Sequence, residues 1–241
     1  KIYVVGIGPG GCDQMTGIAM EALKNSDAII GYTVYVDLVK DTFPDKEFLT
    51  TPMKKEVDRC VLAFEEAKKG KVVSMICSGD AGVYGMAGLM YEVGVNYPDV
   101  ELEIVPGVTA ALGGAAVLGA PLIHDFCLIS LSDLLTPWEK IEARLLGASQ
   151  ADFVICLYNP SSKKRHDYLQ KACDLMMQYK SPDTICGTVC NIGREGEEYH
   201  LMTLRELRDT QVDMFTTVFI GNSQTKEING KMVTPRGYRN V

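Results

Sequence analysis

Three short stretches combine glycine with small polar residues in a pattern that lets main chain close on a ligand: Gly6-Ile7-Gly8-Pro9-Gly10-Gly11, Cys77-Ser78-Gly79-Asp80-Ala81-Gly82-Val83-Tyr84 and Pro106-Gly107-Val108-Thr109-Ala110. Each follows an apolar run that reads as a buried strand. Ligands of an open parallel sheet bind at the carboxyl ends of its strands, so three such turns in one half point to one small-molecule site built from loops. The second loop holds one acid, Asp80, which could accept a ribose hydroxyl or cap the helix that follows. Thr109 has the same two readings. Gly6, Gly8 and Gly11 also satisfy the G-x-G-x-x-G spacing of dinucleotide-binding folds. Two features oppose that reading. Pro9 lacks the N–H that a pyrophosphate would need, and the stretch Ile29-Ile30-Gly31-Tyr32 offers no ribose-binding acid.

The elements that must position these loops alternate strand and helix. Strands are predicted over 2–7, 28–30, 72–77 and 101–105, and helices over 16–24, 55–69, 86–95 and 109–118. Val57, Cys60, Val61, Phe64 and Ala67 give the second helix an amphipathic face, and Gly70 ends it. This alternation implies parallel βαβ units. The pattern pauses at Gly119-Ala120-Pro121, where the domain boundary is placed, giving domains 1–120 and 121–241. The second half reads as strands over 126–131, 152–158, 184–190, 198–202 and 216–220, with helices over 137–146 and 163–179. Gly193-Arg194-Glu195-Gly196 joins two of these strands as a hairpin, so the second sheet is mixed. Thr203-Leu204-Arg205-Glu206 is a capping box. The polar tail from Asn222 reads as loosely held.

Composition narrows the function classes. The chain has 241 residues, 46% hydrophobic and 23% charged, in the ordinary range for a globular protein. A net charge of −7 argues against nucleic acid or anionic membrane as a partner. No apolar run approaches the roughly 20 residues that span a bilayer. Lys1 runs straight into a strand, so no signal peptide is expected. The eight cysteines lie mostly within apolar segments and read as reduced thiols of a cytoplasmic protein. Cys186 and Cys190 lie on one strand face but about 13 Å apart, too far to share a metal, and no metal site is expected.

Together the turn G-I-G-P-G-G, the loop S-G-D-A-G-V-Y, the segment P-G-V-T-A and the later L-G-A-P-L-I-H-D resemble the tetrapyrrole methylases. Within that family, the segment from His124 to Trp138, the run Asn191 to Glu197 and the segment Thr217 to Thr225 are similar to the branch that methylates C17 and contracts the corrin ring. The resemblance implies two α/β domains, the first with a mainly parallel sheet and the second with a mixed sheet, and an active-site cleft between them. It implies S-adenosylmethionine as methyl donor, S-adenosylhomocysteine as product, and a homodimer. By motif position, Pro9, Ser78, Gly79, Asp80, Val83, Thr109, Ala110 and Leu157 surround the donor, with Tyr84, Tyr158, Thr188 and Asn191 as further candidates. Some relatives carry Tyr-Asp-Arg after the second strand. Gly31-Tyr32-Thr33 stands there instead, which argues against action on uroporphyrinogen.

The implied substrate is a carboxylate-rich tetrapyrrole, which must meet local positive charge because the whole chain repels it. Lys54, Lys55, Arg59, Lys163, Lys164, Arg165 and Arg194 are the candidates, and Arg194 in its turn could clamp a carboxylate bidentately. Ring contraction needs acid–base help, for which His124, Asp125, Ser130 and Asp133 are the candidates. The imidazole of His124 suits proton transfer near neutrality. The rival readings are a sister methylase acting at C11 or C20, a nicotinamide oxidoreductase, and a non-catalytic tetrapyrrole binder.

Overall fold

The computed structural model describes residues 1–162 and 166–238. They fall into two compact units, Lys1–Ala110 and Ala111–Val241. The first contains β1 (Ile2–Gly6), α1 (Gly17–Lys24), β2 (Ala28–Tyr32), α2 (Thr33–Asp37), β3 (Glu47–Thr51), α3 (Glu56–Lys68), β4 (Val73–Cys77), α4 (Ala87–Gly94) and β5 (Leu102–Val105). Its sheet has the order β3-β2-β4-β1-β5 and every pairing is parallel. The central strands are apolar on both sides because helices cover both faces. Phe64, Cys60 and Met90 of α3 and α4 pack on one face, and Ala19, Ala22 and Leu23 of α1 on the other. Adjacent β1 and β4 thus send their chains to opposite faces, which opens the loops at their carboxyl ends. Sequence reasoning missed α2 and β3. The segment between them is polar and gives no period.

The second unit contains α5 (Ala110–Leu118, whose first residue closes the first unit), β6 (Gly119–Ala120), β7 (Phe126–Ser130), α6 (Trp138–Gln150), β8 (Val154–Tyr158), α7 (Tyr168–Met176), β9 (Ile185–Cys190), β10 (Glu198–Thr203), α8 (Leu204–Arg208), β11 (Thr216–Ile220), β12 (Lys226–Ile228) and β13 (Lys231–Val233). Its main sheet, β10-β9-β11-β8-β7, is mixed. Strands β7 and β8 are parallel, and β11 runs antiparallel to both β8 and β9. Strands β7, β8 and β9 therefore end at the same edge. Thr203 accepts from Glu206 N and completes the capping box of α8.

The compact units divide between Ala110 and Ala111, in the first turn of α5, whereas the sequence pattern pauses at Gly119-Ala120-Pro121. Helix α5 belongs to the second unit because its small face packs there: a Cβ at Gly114 would meet Phe219 Cζ at 2.8 Å. The tail from Asn222 is not loose. Strands β12 and β13 form a hairpin that pairs with β6, and Met232 and Thr234 are fully buried. Among the described residues no helix is long and apolar enough to cross a membrane.

Candidate functional site

The carboxyl ends of β1, β4 and β5 meet main chain to main chain. Gly8 N donates to Gly79 O at 3.0 Å, and Gly79 N returns the bond to Gly8 O at 2.8 Å. A Cβ at Gly6 would stand 2.7 Å from both Gly107 N and Gly79 O. One at Gly107 would fall on the main chain of Gly79 and Gly6. Only glycine allows three strand ends to approach so closely. Thr16 adds a fourth tie: it caps α1 through Ala19 N and donates its hydroxyl to Pro106 O at 3.1 Å.

Asp80 holds this node together. Its Oδ1 accepts from Gly82 N at 2.8 Å and Val83 N at 3.1 Å, and its Oδ2 accepts from Gly107 N at 2.9 Å. Hydrogen bonds to a charged group contribute about 1.5–3 kcal/mol net each. The capping reading of Asp80 is thus realised for a loop, not for α4, whose N-cap is Met86. Tyr84 closes the loop with a left-handed φ of 54° and an exposed ring. Pro9 and Gly79 are buried, whereas Ser78, Thr109 and Ala110 are half-buried beside them.

In the second unit the carboxyl ends of β7 and β8 carry side chains instead. Tyr158 accepts at its hydroxyl from Ala111 N at 2.8 Å, which satisfies an orphan donor in the first turn of α5. Asn159, with φ 52°, donates from Nδ2 to Ser130 Oγ at 2.9 Å. Tyr168 donates to Asp133 Oδ2 at 2.7 Å, and this bond raises the tyrosine's pKa. Sequence reasoning missed Asn159 and Tyr168 as functional neighbours. Their partners lie 29 and 35 residues away, so no local pattern marks them.

Several expected residues are not brought together. Leu157 and Thr188 both align with Val218, so they share one face of the sheet. Tyr158 is on the other face, with Phe219 and α5, because successive side chains alternate. Leu157 is fully buried in the core. Thr188 lines a cavity of about 340 Å³ with Cys190, Asp213 and Thr216. Both side chains therefore lie on the face of the sheet opposite α5, and both residues sit in interior strands paired on each side. Asn191 has φ 51° and donates to Gly196 O at 3.4 Å, within the turn that carries half-buried Arg194.

The four acid–base candidates also separate. His124 and Asp125 are exposed before β7, and Asp125 O accepts from Val154 N. Ser130 and Asp133 lie at the far end of that strand, roughly 17 Å from Asp125. The four do not form one constellation. Among the cations, Lys54 is exposed with φ 66°, and Lys55 pairs with Asp58 at 2.9 Å. Arg59 is only 5% exposed, not a surface cation. Lys163, Lys164 and Arg165 lie outside the described residues. All eight cysteines are free, and five are buried.

Comparison with known proteins gives this arrangement a family. The Tetrapyrrole (Corrin/Porphyrin) Methylases match residues 1–208. The probable cobalt-factor III C(17)-methyltransferase of Salmonella typhimurium is 49% identical over 238 residues, which is 98% of this chain and 99% of that protein. The cobalt-factor III methyltransferase of Priestia megaterium is 45% identical over 99% of this chain and 45% of its own length. The crystal structure of the methyltransferase CobJ superposes with a TM-score of 0.88 at 34% identity, over 97% of this chain and 99% of that one. With the family matched over residues 1–208 and a relative 49% identical along 98% of this chain's length, the chain belongs to the tetrapyrrole (corrin/porphyrin) methylase family.

Proposed function

We propose that the chain transfers the methyl group of S-adenosylmethionine to C17 of cobalt-factor III, or of metal-free precorrin-3B, and contracts the corrin ring in cobalamin biosynthesis. The observation that carries this reading is 49% identity along 98% of the chain to a relative of that name. The cobalt-loaded substrate is favoured because that relative and the one from Priestia megaterium are both named for it.

The strand-end node suits such a donor. It offers main chain without Cβ atoms, the hydroxyls of Ser78 and Thr109, and the exposed ring of Tyr84. Pro9, Ser78, Gly79, Val83, Tyr84, Thr109 and Ala110 hold the donor. Asp80 holds the loops that do so. Tyr158 fixes the start of α5. When bound, the donor supplies an electrophilic methyl on a sulfonium. The protein's part in the displacement is orientation, worth roughly 7–11 kcal/mol in favourable cases. Contraction adds proton movement, for which His124 with Asp125, or Ser130 with Asp133, is the acid–base pair. The enzyme works in the cytoplasm as a homodimer.

The test is anaerobic incubation with cobalt-factor III and S-adenosylmethionine labelled with ¹³C at the methyl group. Label at C17 of a contracted ring is expected. Label at C11 or C20 would assign the chain to a sister methylase, and no label would leave a binder. Loss of the pair that acts should cost about 10²–10⁴-fold in contraction while methylation persists, and loss of the other should not. Comparing His124→Ala with Asp133→Asn by product mass therefore shows which pair acts.

A further inference from the structure

Arg59 is an anomaly in charge. It lies in the first turn of α3 with 5% of its surface exposed, yet among the described residues no carboxylate pairs with it. Its Nε donates to Thr51 Oγ1 at 2.8 Å, and its Nη2 to Thr51 O at 3.3 Å and Pro52 O at 3.2 Å. The guanidinium carbon stands 6.0 Å from the ring centroid of Tyr32. All these partners are neutral. They satisfy two of its nitrogens but leave the charge uncompensated, and a buried unpaired charge is costly.

The third nitrogen, Nη1, makes no hydrogen bond among the described residues. It is not sealed in either: the only buried side-chain polar atom left without a partner there is Ser149 Oγ. Nη1 therefore keeps a narrow contact with solvent. Thr51 and Tyr32 are the last residues of β3 and β2, which places the guanidinium at the carboxyl end of the parallel sheet, where such folds bind ligands. Beside it, Lys54 is held in a left-handed conformation, φ 66°, by its N–H bond to Glu56 Oε1 at 3.2 Å. Its ammonium has no ion pair among the described residues. Strain in a residue with a Cβ is kept where the surroundings enforce it. Neither cation has an ion pair among the described residues, in a chain whose net charge is −7.

We propose that Arg59 and Lys54 form the anchor for one peripheral carboxylate of the tetrapyrrole, Arg59 by hydrogen bond and charge and Lys54 by charge. The assignment rests on the substrate class proposed above. It selects two of the seven candidate cations and excludes Lys55, which is neutralised by Asp58.

The experiment uses two ligands. Uroporphyrin, a polycarboxylate that needs no turnover, reports binding by fluorescence quenching, and cobalt-factor III reports turnover. Arg59→Gln should weaken uroporphyrin binding and raise KM for cobalt-factor III by about 10–100-fold, with kcat and S-adenosylhomocysteine affinity held within about threefold. Lys54→Ala, whose side chain holds nothing else in place, should weaken both by about three- to fivefold at low salt, and less at high salt. Should Arg59→Gln fail to fold, the Lys54→Ala result decides. Unchanged binding in the soluble variants overturns the anchor. A wild-type protein that binds uroporphyrin but does not methylate cobalt-factor III keeps the anchor and contradicts the proposed function. One that binds neither contradicts both.

Discussion

The strand ends of the two sheets are built from different materials. In the first unit β1, β4 and β5 end in main chain, with Gly6, Gly79 and Gly107 in contact and one carboxylate, Asp80, tying the loops. In the second unit β7 and β8 end in side chains: Ser130, Asn159, Tyr158, and the pair Asp133 and Tyr168. A main-chain node has almost no freedom to adjust, because any Cβ collides with backbone. A side-chain network can lose a member and relax. The first arrangement suits holding a donor of fixed shape, and the second suits moving protons.

The comparison can be broken first through pH. Burial pushes the thiols of Cys60 and Cys77 in the first unit, and Cys127 in the second, from 9.0 to about 11. It pushes Cys173 to about 12, and raises Cys156 and Cys186 further. Above pH 9 the unfolded chain has released protons that the folded chain keeps, so stability falls as pH rises and is intact below that value. Each thiol contributes about 1.4 kcal/mol per unit in that window. The second unit holds more of these thiols, so tyrosine and tryptophan signals from it should be lost at lower pH than the first unit's signals. Simultaneous loss in alkaline titration would show that the units unfold as one.

Gly107→Ala comes next. Its Cβ meets backbone that cannot swing away, so a loss of about 3 kcal/mol or more is expected, together with loss of donor binding. Melting curves and calorimetry check both. The smallest effect is Tyr158→Phe, which deletes one acceptor for Ala111 N and should cost about 1 kcal/mol. A larger loss there than in Gly107→Ala would reverse the contrast between rigid main chain and adjustable side chains.

The same difference explains what the sequence made legible. Glycine turns after apolar runs announced the node, because a close approach of backbone requires that residue type locally. Alternating strands and helices announced the parallel sheet. The order of Asp80's partners was not legible, since Gly107 lies 27 residues on. Nor were the faces of β8 and β9, where Leu157 and Thr188 point away from Tyr158, because the pleat is set by pairing with β11. His124 and Asp133 looked like one motif because they are nine residues apart, but a strand between them carries them to opposite ends. The tail from Asn222 was read as loose from its polarity, but Thr225 and Thr234 share a buried hydroxyl bond of 2.8 Å.

The central claim is that main chain from three strand ends holds a methyl donor and not a dinucleotide. Calorimetric titration tests it most directly. S-adenosylhomocysteine should bind one site per chain in the wild type and none in Gly107→Ala, while NAD gives no heat with either. Saturable binding of NAD by a chain that ignores S-adenosylhomocysteine would contradict it.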